Sequence, residues 1–491
     1  MEGRFKIIAI CLALLPVFIS AACGNNPASS RETSKSEEHQ DTTSTTDGPA
    51  NTDVQLWLTK PDQSALFSRQ NVRLLFSEAT GSNPTITVDL STTYQSVDGF
   101  GFALTGGSAY LIYKLPAAKR KDLLHELFST DSTSIGVSYL RVSIGASDLS
   151  RRVFSYDDLA SGQTDTTLQQ FDMGPDRYNL IPLLNEILDI NPHIKILGSP
   201  WSPPVWMKTN DSSIGGSLQH QYYDEYAQYF VKYLKAMKSN GIHIDAITPQ
   251  NEPLYGGNNP SMVMKPGEEQ DFVKNFLGPA FEDAGLETKI IIYDHNADNP
   301  DYPLTVLADS VSRKYIAGSA FHLYGGDISA LSRVHDAYPD KNIYFTEQYT
   351  SSESSFSSDL RWHMKNLIIG AMRNWSKNVL EWNLASDPNY EPHTPGGCST
   401  CKGALTIGSN VTRNVSYYIV ASASKFVRPG SERIASNFVS NLQNVAFKTP
   451  EGKKVLIVLN AGDKKQTFDI RFKGEVVTTV LSKGAVGTYV W

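Results

Sequence analysis

Eight short apolar runs, separated by amphipathic stretches, constrain the fold of this 491-residue chain more than any other feature. Such runs predict buried strands, and the stretches between them predict helices. The strand-like runs are 95–104, 136–144, 194–199, 242–248, 289–293, 318–323, 342–345 and 378–382, and the helical stretches include 117–128, 222–239, 270–284 and 359–375. Strand–helix alternation predicts an α/β fold with a parallel sheet, and eight units predict a closed (β/α)8 TIM barrel. The alternative is a doubly wound open sheet.

Polar and aromatic residues stand at the ends of most of these predicted strands. In a (β/α)8 barrel the active site lies at the carboxyl ends of the strands. From the second strand to the eighth, these residues are Arg141 with Asp148, Trp201, Asn251 with Glu252, Asp294 with His295, His322 with Tyr324, Glu347, and Trp382 with Asn383. Because the strand ends meet at one face of such a barrel, the sequence predicts an active site there.

Two of these residues are carboxylates from distant parts of the chain. Glu252 and Glu347 end the fourth and the seventh predicted strands, so only a barrel-like fold brings them together. Two carboxyl groups that face one site suit glycoside hydrolysis, in which one is protonated and the other ionised. The alternative is that Glu347 is a strand-end acid in an ion pair.

The neighbours of the two acids fit the same chemistry. Asn251 is placed to donate a hydrogen bond to a sugar 2-hydroxyl group, an interaction that strengthens in the transition state. His322 and Tyr324 are candidates to hold the second acid in its ionised form. Trp201 and Trp382 offer flat faces for a pyranose ring, with burial in the core as the alternative interpretation.

Short strands separated by turn residues flank the predicted barrel on both sides. Before it lie 54–58, 72–76 and 85–90, and after it lie 444–448, 454–460, 467–472 and 475–481. Four or five strands alone would leave open edges, so we expect both groups to form one antiparallel β-sandwich. The predicted domains are N-terminal sandwich strands at 52–92, the barrel at 93–425 and the C-terminal sandwich at 426–491.

The first 51 residues differ in character from the rest. Arg4 and Lys6 precede an apolar run, 7–19, which is too short to span a bilayer and is followed by Ser20-Ala21-Ala22-Cys23. Residues 1–23 therefore resemble a lipoprotein signal peptide with a lipobox. The resemblance implies export and acylation of Cys23, which anchors the protein to a bacterial membrane, the outer one at its periplasmic or its surface face. Simple secretion is the alternative. Residues 24–51, rich in Ser, Thr and Asp, are expected to be a flexible tether.

Composition argues against several classes of function. The net charge is −7 and there is no basic run, which argues against nucleic acid as a partner. The sequence has no repeated Cys-x-x-Cys pattern and no glycine-rich loop before a helix, which argues against a zinc site and a nucleotide cofactor. We therefore expect neither a metal nor a cofactor.

The strand-end motifs together resemble those of glycoside hydrolase family 30. The matching segments begin at Asp98-Gly99-Phe100-Gly101-Phe102 and continue through Arg141, Ser147-Asp148-Leu149-Ser150, Ser199-Pro200-Trp201-Ser202-Pro203-Pro204, Asn251-Glu252-Pro253, His322 with Tyr324, Thr346-Glu347 and Trp382-Asn383. The resemblance implies a retaining β-glycosidase with a (β/α)8 barrel and a flanking β-sandwich. It implies that Glu252 is the acid/base and Glu347 the nucleophile. It places in the sugar-binding subsite Arg141, Asp148, Trp201, Asn251, His322, Tyr324, Trp382 and Asn383.

The sequence departs from the glucosylceramidase branch of that family after Gly101, where it has Phe102-Ala103-Leu104-Thr105-Gly106-Gly107-Ser108. With Asn258-Asn259-Pro260-Ser261-Met262 and Gly396-Gly397-Cys398, it is more similar to the bacterial β-1,6-glucanase branch. We therefore expect hydrolysis of β-linked glucose, above all in β-1,6-glucan. The alternatives are a glucosylceramidase, a broader β-glucosidase or xylanase-type enzyme, and a non-catalytic carbohydrate-binding lipoprotein.

Two cysteines lie shortly after the end of the eighth predicted strand. Export would place Cys398 and Cys401 in an oxidising compartment, where disulfides persist. We expect a disulfide that shapes a loop beside the sugar site. The alternatives are a redox-active pair, which needs a thioredoxin-like setting, and half of a metal site, which needs further ligands.

Overall fold

The computed structural model describes residues 52–78 and 81–491. The predicted signal peptide, the lipidation site Cys23 and the tether at 24–51 lie outside the described residues. None of the helices within 52–78 and 81–491 has the length and apolar character that crossing a bilayer requires.

Eight parallel strands close into a barrel, as the sequence predicts. With strands numbered β1 to β22 in chain order, the barrel strands are β4 (Gly99–Ala103), β5 (Tyr139–Ser143), β6 (Lys195–Ser199), β7 (Ala246–Ile247), β8 (Lys289–Ala297), β9 (Ile316–Gly326), β10 (Asn342–Glu347) and β12 (Ser376–Asn383). They pair in chain order, and β12 closes the ring against β4. All eight predicted strands are therefore present, and the open-sheet alternative is excluded.

Helices fill the connections between the barrel strands. They are α1 (Gly106–Tyr113), α2 (Ala117–Phe128), α3 (Leu180–Ile190), α4 (Tyr223–Ser239), α5 (Pro266–Phe272), α6 (Gly278–Asp283), α7 (Asp301–Ala308), α8 (Ser312–Tyr315), α9 (Ala330–Ala337), α10 (Phe356–His363) and α11 (Val415–Ser424). Two of the predicted helices contain a π-helical segment, Val273–Leu277 after α5 and Met364–Ala371 after α10.

A layer of apolar side chains fills the middle of the barrel. Seven of the eight strands each contribute one buried residue to it, namely Tyr139, Leu197, Ala246, Ile291, Ala320, Tyr344 and Leu380. Side chains alternate sides along a strand, so the residue two positions later again points into the barrel. That next layer lies at the carboxyl ends of the strands, where the polar residues of the site are found.

The remaining large sheet is the β-sandwich, which combines strands from before and after the barrel. Its strands are β1 (Gln55–Thr59), β2 (Ser68–Arg69), β3 (Thr85–Ser96), β17 (Glu432–Ser436), β18 (Leu442–Lys448), β19 (Lys454–Asn460), β20 (Gln466–Phe472), β21 (Glu475–Leu481) and β22 (Val486–Val490). The hydrogen-bonded order is β2-β1-β22-β19-β18-β17-β3-β20-β21. The two ends of this order face each other, since Phe468 of β20 packs edge-on against Tyr489 of β22 at 6.0 Å between ring centroids.

Two strand predictions near the N-terminal side differ from the structure, one in its existence and one in its extent. The run 72–76 forms no strand; the carbonyl of Leu74 accepts hydrogen bonds from the amides of Asp53 and Val54, which directly precede β1. The run 95–104 is split between two sheets: β3 stays in the sandwich through Ser96, and β4 begins at Gly99. The chain changes partner between them, because the amide of Val97 donates to a sandwich-side carbonyl and that of the next residue to a barrel-side one.

Two small sheets form part of the rim of the barrel. Strand β11 (Thr350–Ser351) pairs with β14 (Cys401–Lys402), and β13 (Ala385–Ser386) pairs with β15 (Leu405–Ile407), which also pairs with β16 (Val411–Arg413). The segment that follows Glu347 is thus tied to the segment that carries the two cysteines.

Candidate active site

The two predicted carboxylates meet at the carboxyl-terminal face of the barrel. Glu347 is the last residue of β10, and Glu252 lies in the turn that follows β7. One carboxylate oxygen of each lies within 4.8 Å of the other, and both side chains are buried. The carboxyl groups of retaining glycosidases lie roughly 5–5.5 Å apart, whereas those of inverting enzymes lie roughly 6.5–9.5 Å apart. The approach of Glu252 to Glu347 is that of the retaining class.

Glu252 is held in an unusual backbone conformation. Its φ angle is 45°, in the left-handed region that residues with a Cβ atom rarely adopt. Its amide donates to the carbonyl of Asp294 at 3.0 Å, which fixes the turn. Strain of this kind persists only where the surrounding structure requires it, and it is common at active sites.

Arg141 is the centre of the buried charges beneath the pair. It is fully buried, and its guanidinium donates to Glu347 at 2.5 Å, to Asn251 at 2.7 Å and to Asp294 at 2.7 Å. Glu347 also accepts a hydrogen bond from the hydroxyl of Tyr324 at 2.9 Å. Two donors therefore orient the Glu347 carboxylate and stabilise its negative charge.

His322 connects the other acid to the same network. It is fully buried; Nδ1 lies 3.2 Å from Glu252 and Nε2 lies 3.1 Å from Asp294. Burial lowers the pKa of His322, but the charges of Glu347 and Asp294 and the hydrogen bonds outweigh burial and raise it to about 9. The imidazole is therefore protonated at neutral pH. The sequence-based hypothesis placed His322 beside Glu347, which lies 4.0 Å away; its hydrogen bond is to Glu252 instead.

The two catalytic candidates differ in pKa, in the direction opposite to the one expected. Burial raises the pKa of Glu347. The charges of His322 and Arg141 lower it and that of Glu252 raises it, and the resulting pKa lies above its usual value. For Glu252, the hydrogen bond and the charge of His322 outweigh the effect of burial. The pKa of Glu252 therefore lies below its usual value. In the unliganded site Glu252 is thus the more acidic member, because it faces the imidazolium directly.

Asp294 completes the network; the sequence placed it at a strand end but assigned it no role in catalysis or binding. It is fully buried and accepts five hydrogen bonds, from Arg141 (2.7 Å), Ser199 (2.8 Å), Thr248 (2.9 Å), His322 (3.1 Å) and Thr346 (2.6 Å). Burial raises the pKa of Asp294, but Arg141, His322 and the hydroxyl donor outweigh burial and lower it far below its usual value. Asp294 is therefore a permanent negative charge beneath the pair.

Most of these partners share one position in the strands. Arg141, Ser199, Thr248, His322 and Thr346 each follow a residue of the apolar layer by two positions, so they form the next inward layer. That spacing could have identified the three hydroxyl residues from the sequence. Asp294 follows Ile291 by three positions instead. It enters the same layer because the register of β8 shifts between Tyr293 and His295, where Tyr293 and Asp294 adopt positive φ angles.

The tryptophans form a wall of the pocket. Trp201 and Trp382 are 2% and 3% exposed, and they stack at 5.3 Å between ring centroids with an interplanar angle of 28°. The Arg141 guanidinium lies over the Trp201 ring at 4.8 Å. Other protein groups therefore cover part of each ring. The ring surface left for a sugar is smaller than the sequence suggested. Both rings still line the pocket.

The pocket above the carboxylates has a volume of 170 Å³. Besides the two acids and the two tryptophans, its walls are Asp148, Tyr255, Asn258, Tyr324, Tyr349 and the cysteines 398 and 401. Sequence reasoning assigned no role in the site to Tyr255, Asn258 or Tyr349, since they come from loops with no periodic pattern. Of the eight predicted binding residues, four do not line this pocket, namely Arg141, Asn251, His322 and Asn383. The side-chain oxygen of Asn383 accepts hydrogen bonds from Ser108 at 2.7 Å and Thr105 at 3.3 Å.

The geometry of three of these residues would also suit a metal ion. Glu252, His322 and Glu347 each offer one ligand atom, and these atoms lie within 4.8 Å of one another. Metal binding requires a neutral imidazole, whereas the raised pKa of His322 keeps it protonated. Glu347 is already paired with Arg141. The charges of the cluster therefore favour proton transfer over metal ligation.

The raised pKa of His322 predicts a loss of stability at alkaline pH. The folded-state pKa of about 9 exceeds the usual value of 6.5, so the contribution of His322 is fully present below about pH 6.5 and is lost as the pH rises through about 9. We expect the free energy of unfolding to fall by about 2 kcal/mol between pH 7 and pH 10. Urea unfolding across that range measures it. The His322→Gln variant should lack this fall, and an equal fall in both proteins would contradict the assignment.

Cys398 and Cys401 are joined in a disulfide at the edge of the pocket. The amide of Cys398 donates to the carboxylate of Asp148 at 3.2 Å, and Cys401 pairs with Ser351 of the rim sheet. Burial and the charge of Glu347 raise the pKa of Asp148 to about 7. The cross-linked loop thus supports a pocket acid whose charge changes near neutral pH.

Replacing both cysteines with serine should affect substrate binding more than stability. The bridge closes a loop of only a few residues, so it removes little conformational entropy from the unfolded chain. We expect KM for a long glucan to rise about three- to tenfold, and the melting temperature to fall by only about 1–2 °C. Steady-state kinetics and calorimetry check the two values. A large fall in melting temperature with unchanged KM would show that the bridge serves the fold instead.

Comparisons with known proteins agree with the fold. The model of the glycosyl hydrolase family 30 TIM-barrel domain matches residues 97–427, and that of the family's beta sandwich domain matches residues 430–489. The chain is 36% identical to an endo-1,6-beta-D-glucanase of Neurospora crassa over 435 residues, covering 84% of this chain and 89% of the relative. It is 30% identical to putative glucosylceramidase 2 of Caenorhabditis elegans, covering 78% of each.

A solved structure gives the same result. The endo-beta1,6-glucanase BT3312 superposes with a TM-score of 0.83 at 35% identity, covering 89% of this chain and 99% of that protein. Both domains match their family models, and the two acids lie at the strand ends where a glycosidase needs them. This chain is therefore a glycosyl hydrolase and belongs to glycosyl hydrolase family 30.

Proposed function

We propose that this enzyme hydrolyses β-1,6-glucan with retention of the anomeric configuration. The observation that carries the proposal is the close approach of Glu252 and Glu347, with oxygens within 4.8 Å of each other. Similarity to endo-1,6-glucanases at 35–36% identity over most of the chain supports the linkage. The glucosylceramidases are less similar, at 28–30% identity.

Glu347 is the nucleophile in this mechanism and Glu252 the proton donor. The Glu347 carboxylate, oriented by Arg141 and Tyr324, attacks the anomeric carbon as the proton of Glu252 passes to the glycosidic oxygen. The bond from the anomeric carbon to that oxygen breaks, and a glycosyl ester forms on Glu347. Glu252 then takes a proton from water, whose oxygen attacks the anomeric carbon and releases Glu347.

The position of the proton in the unliganded pair does not conflict with these roles. The carboxylates are close enough that their charges disfavour double ionisation, so the pair retains a proton readily. A bound substrate places its glycosidic oxygen beside Glu252 and its anomeric carbon beside Glu347. Only the oxygen can accept a proton. The imidazolium of His322 at 3.2 Å from Glu252 keeps a second proton at hand.

A panel of substrates tests the proposal. We expect purified enzyme to release short β-1,6-linked oligosaccharides from β-1,6-glucan, and NMR to show the β-anomer as the first product. Glucosylceramide, xylan and β-1,3-glucan serve as competitors, and the Glu347→Gln variant controls for contaminating activity. Preferred release of glucose from glucosylceramide would show that the glycolipid is the substrate instead. An α-anomer as first product would overturn the retaining mechanism. Binding without turnover would support the non-catalytic alternative.

We further propose that the enzyme is exported and anchored to a bacterial membrane through an acylated Cys23. The proposal rests on the basic and apolar run before Ser20-Ala21-Ala22-Cys23 and on the polar segment after it. We expect the full chain, expressed in a bacterial host, to incorporate labelled palmitate and to enter the detergent phase on partitioning. The Cys23→Ser variant should do neither. Equal partitioning of the two proteins into the aqueous phase would favour simple secretion.

A further inference from the structure

A second and larger cavity opens on the carboxyl-terminal face of the barrel. Its volume is 730 Å³, against 170 Å³ for the catalytic pocket, and it falls in the range of roughly 300–1,000 Å³ that ligand sites occupy. One wall is the start of α1, directly after β4, and the other is the long segment between β5 and α3. Both walls follow the carboxyl ends of barrel strands, so the cavity shares its face of the barrel with the site.

Residues of both walls are close in sequence to residues of the catalytic site. Ser150 lines the cavity and belongs to the same short segment as Asp148, which lines the pocket. Gly106 lines the cavity on the other side. The residue before it, Thr105, donates to Asn383, the neighbour of a pocket tryptophan. The cavity and the pocket are therefore lined by neighbouring residues of the same segments.

The cavity presents an exposed ring and unpaired hydrogen-bond donors. Tyr178 is 71% exposed. The guanidinium of Arg151 lies over the ring of Tyr110 at 4.1 Å. Arg152 is exposed and, among residues 52–78 and 81–491, has no hydrogen-bond or ion-pair partner. Aromatic faces beside planar polar groups are what a sugar ring with its hydroxyls requires.

The cavity is also lined by hydrogen-bond acceptors, the carboxyl groups of Asp172 and Asp176. Asp172 is exposed and pairs with Arg177, and Asp176 lies buried in the wall. A polyanion would meet two carboxyl groups here, and one of the three guanidiniums is already neutralised. A neutral chain of hydroxyl groups can pair with both the donors and the acceptors. A neutral polysaccharide can therefore use both kinds of polar group in the lining, whereas an anion would use only the guanidiniums.

The segment that carries Tyr178 is held in place before any ligand binds. The hydroxyl of Tyr156 donates to Asp176 at 2.6 Å, and the amide of Gly174 donates to Asp172 at 2.6 Å. The amide of Tyr178 donates to the carbonyl of Pro175 at 3.1 Å. A site that is already ordered loses little conformational entropy when a ligand binds.

We propose that this cavity is a second, non-catalytic binding site for the glucan chain, with Tyr178 as its ring platform and Arg152 as a hydrogen-bond donor. The site holds a distant part of the same polymer whose cleaved segment occupies the catalytic pocket. The choice of β-1,6-glucan as the ligand rests on the proposed function.

Binding to a hydrolytically silent protein tests the proposal separately from catalysis. In the full chain carrying Glu347→Gln, affinity electrophoresis in gels that contain β-1,6-glucan gives the dissociation constant for the polymer. We expect Tyr178→Ala, alone and with Arg152→Ala, to weaken binding about two- to tenfold. The matched control is Phe438→Ala, because Phe438 is 78% exposed and lies in the sandwich; it should leave the constant unchanged.

The outcomes separate this inference from the proposed function. If the wild-type enzyme cleaves the glucan but Tyr178→Ala binds it as tightly as the control, the second site is refuted and the function stands. If the wild-type enzyme does not cleave the glucan, yet binding still depends on Tyr178, the proposed function fails and the second site stands. Displacement of the glucan by inorganic phosphate, dependent on Arg152, would show an anion site and overturn the proposal.

Discussion

Replacing Glu347 with alanine will reduce hydrolysis of β-1,6-glucan by about 10⁴- to 10⁶-fold, because removing a nucleophile removes the covalent route altogether. The effect should be on kcat, since Arg141 and the tryptophan wall remain to bind the sugar. With an aryl β-glucoside and added azide, turnover should return and yield the α-glucosyl azide, since azide then attacks from the face that Glu347 occupied. Product anomers read by NMR check this result.

The matched variant is Glu252→Ala. It should retain the first step on aryl glucosides, whose leaving group needs no proton, and azide should give the β-glucosyl azide through the intact Glu347. This pair of experiments is decisive because the pKa of Glu252 lies below its usual value and that of Glu347 above it in the unliganded site. If Glu252→Ala gave the α-azide and Glu347→Ala the β-azide, the two roles would be exchanged.

Replacing Asp294 with alanine will destabilise the protein by about 3–5 kcal/mol. The variant leaves the fully buried guanidinium of Arg141 without one of its two carboxylate partners, and breaking a buried ion pair has an effect of this size. It also removes the acceptor of three hydroxyl groups. Urea unfolding at pH 7 measures the change in free energy.

Two further variants make this result interpretable. Asp294→Asn keeps the size of the side chain but loses the charge, so it measures the electrostatic part if the alanine variant does not fold. Asp301→Ala removes an exposed acid that pairs with Arg333 on the surface, and exposed pairs contribute only about 0–1 kcal/mol. A change of less than about 1 kcal/mol for both Asp294 variants would show that the buried network is not needed for stability.

The sequence predicted the barrel strands because each is an apolar run long enough to be recognised between helices. It predicted Glu252 and Glu347 because a charge at the end of a buried run is rare unless it is paired or used. The least well predicted strand was the fourth. The run 242–248 is a strand only at Ala246–Ile247, since the amide of Ile242 still donates to the last turn of α4.

What the sequence could not predict depends on three-dimensional neighbours. Asp294 enters the barrel through a shift of register that no periodicity reveals. The partner of His322 was assigned to the wrong acid, because Glu252 and Glu347 lie within reach of the same ring. The stacking of Trp201 on Trp382 joins strands from opposite parts of the sequence. The boundaries predicted for the domains stay predictions, as do the roles assigned to individual site residues.

The sandwich has a consequence for the order in which this protein folds. Strand β1 pairs with β22 along all five of its residues, and β3 lies between β17 and β20. These partners are separated by the whole barrel, so the sheet cannot close until synthesis has passed residue 486. Contacts at such sequence separation form late, because the loop between them must be closed first. A nascent chain whose first strands still lack their partners therefore remains without its finished sheet until synthesis is nearly complete.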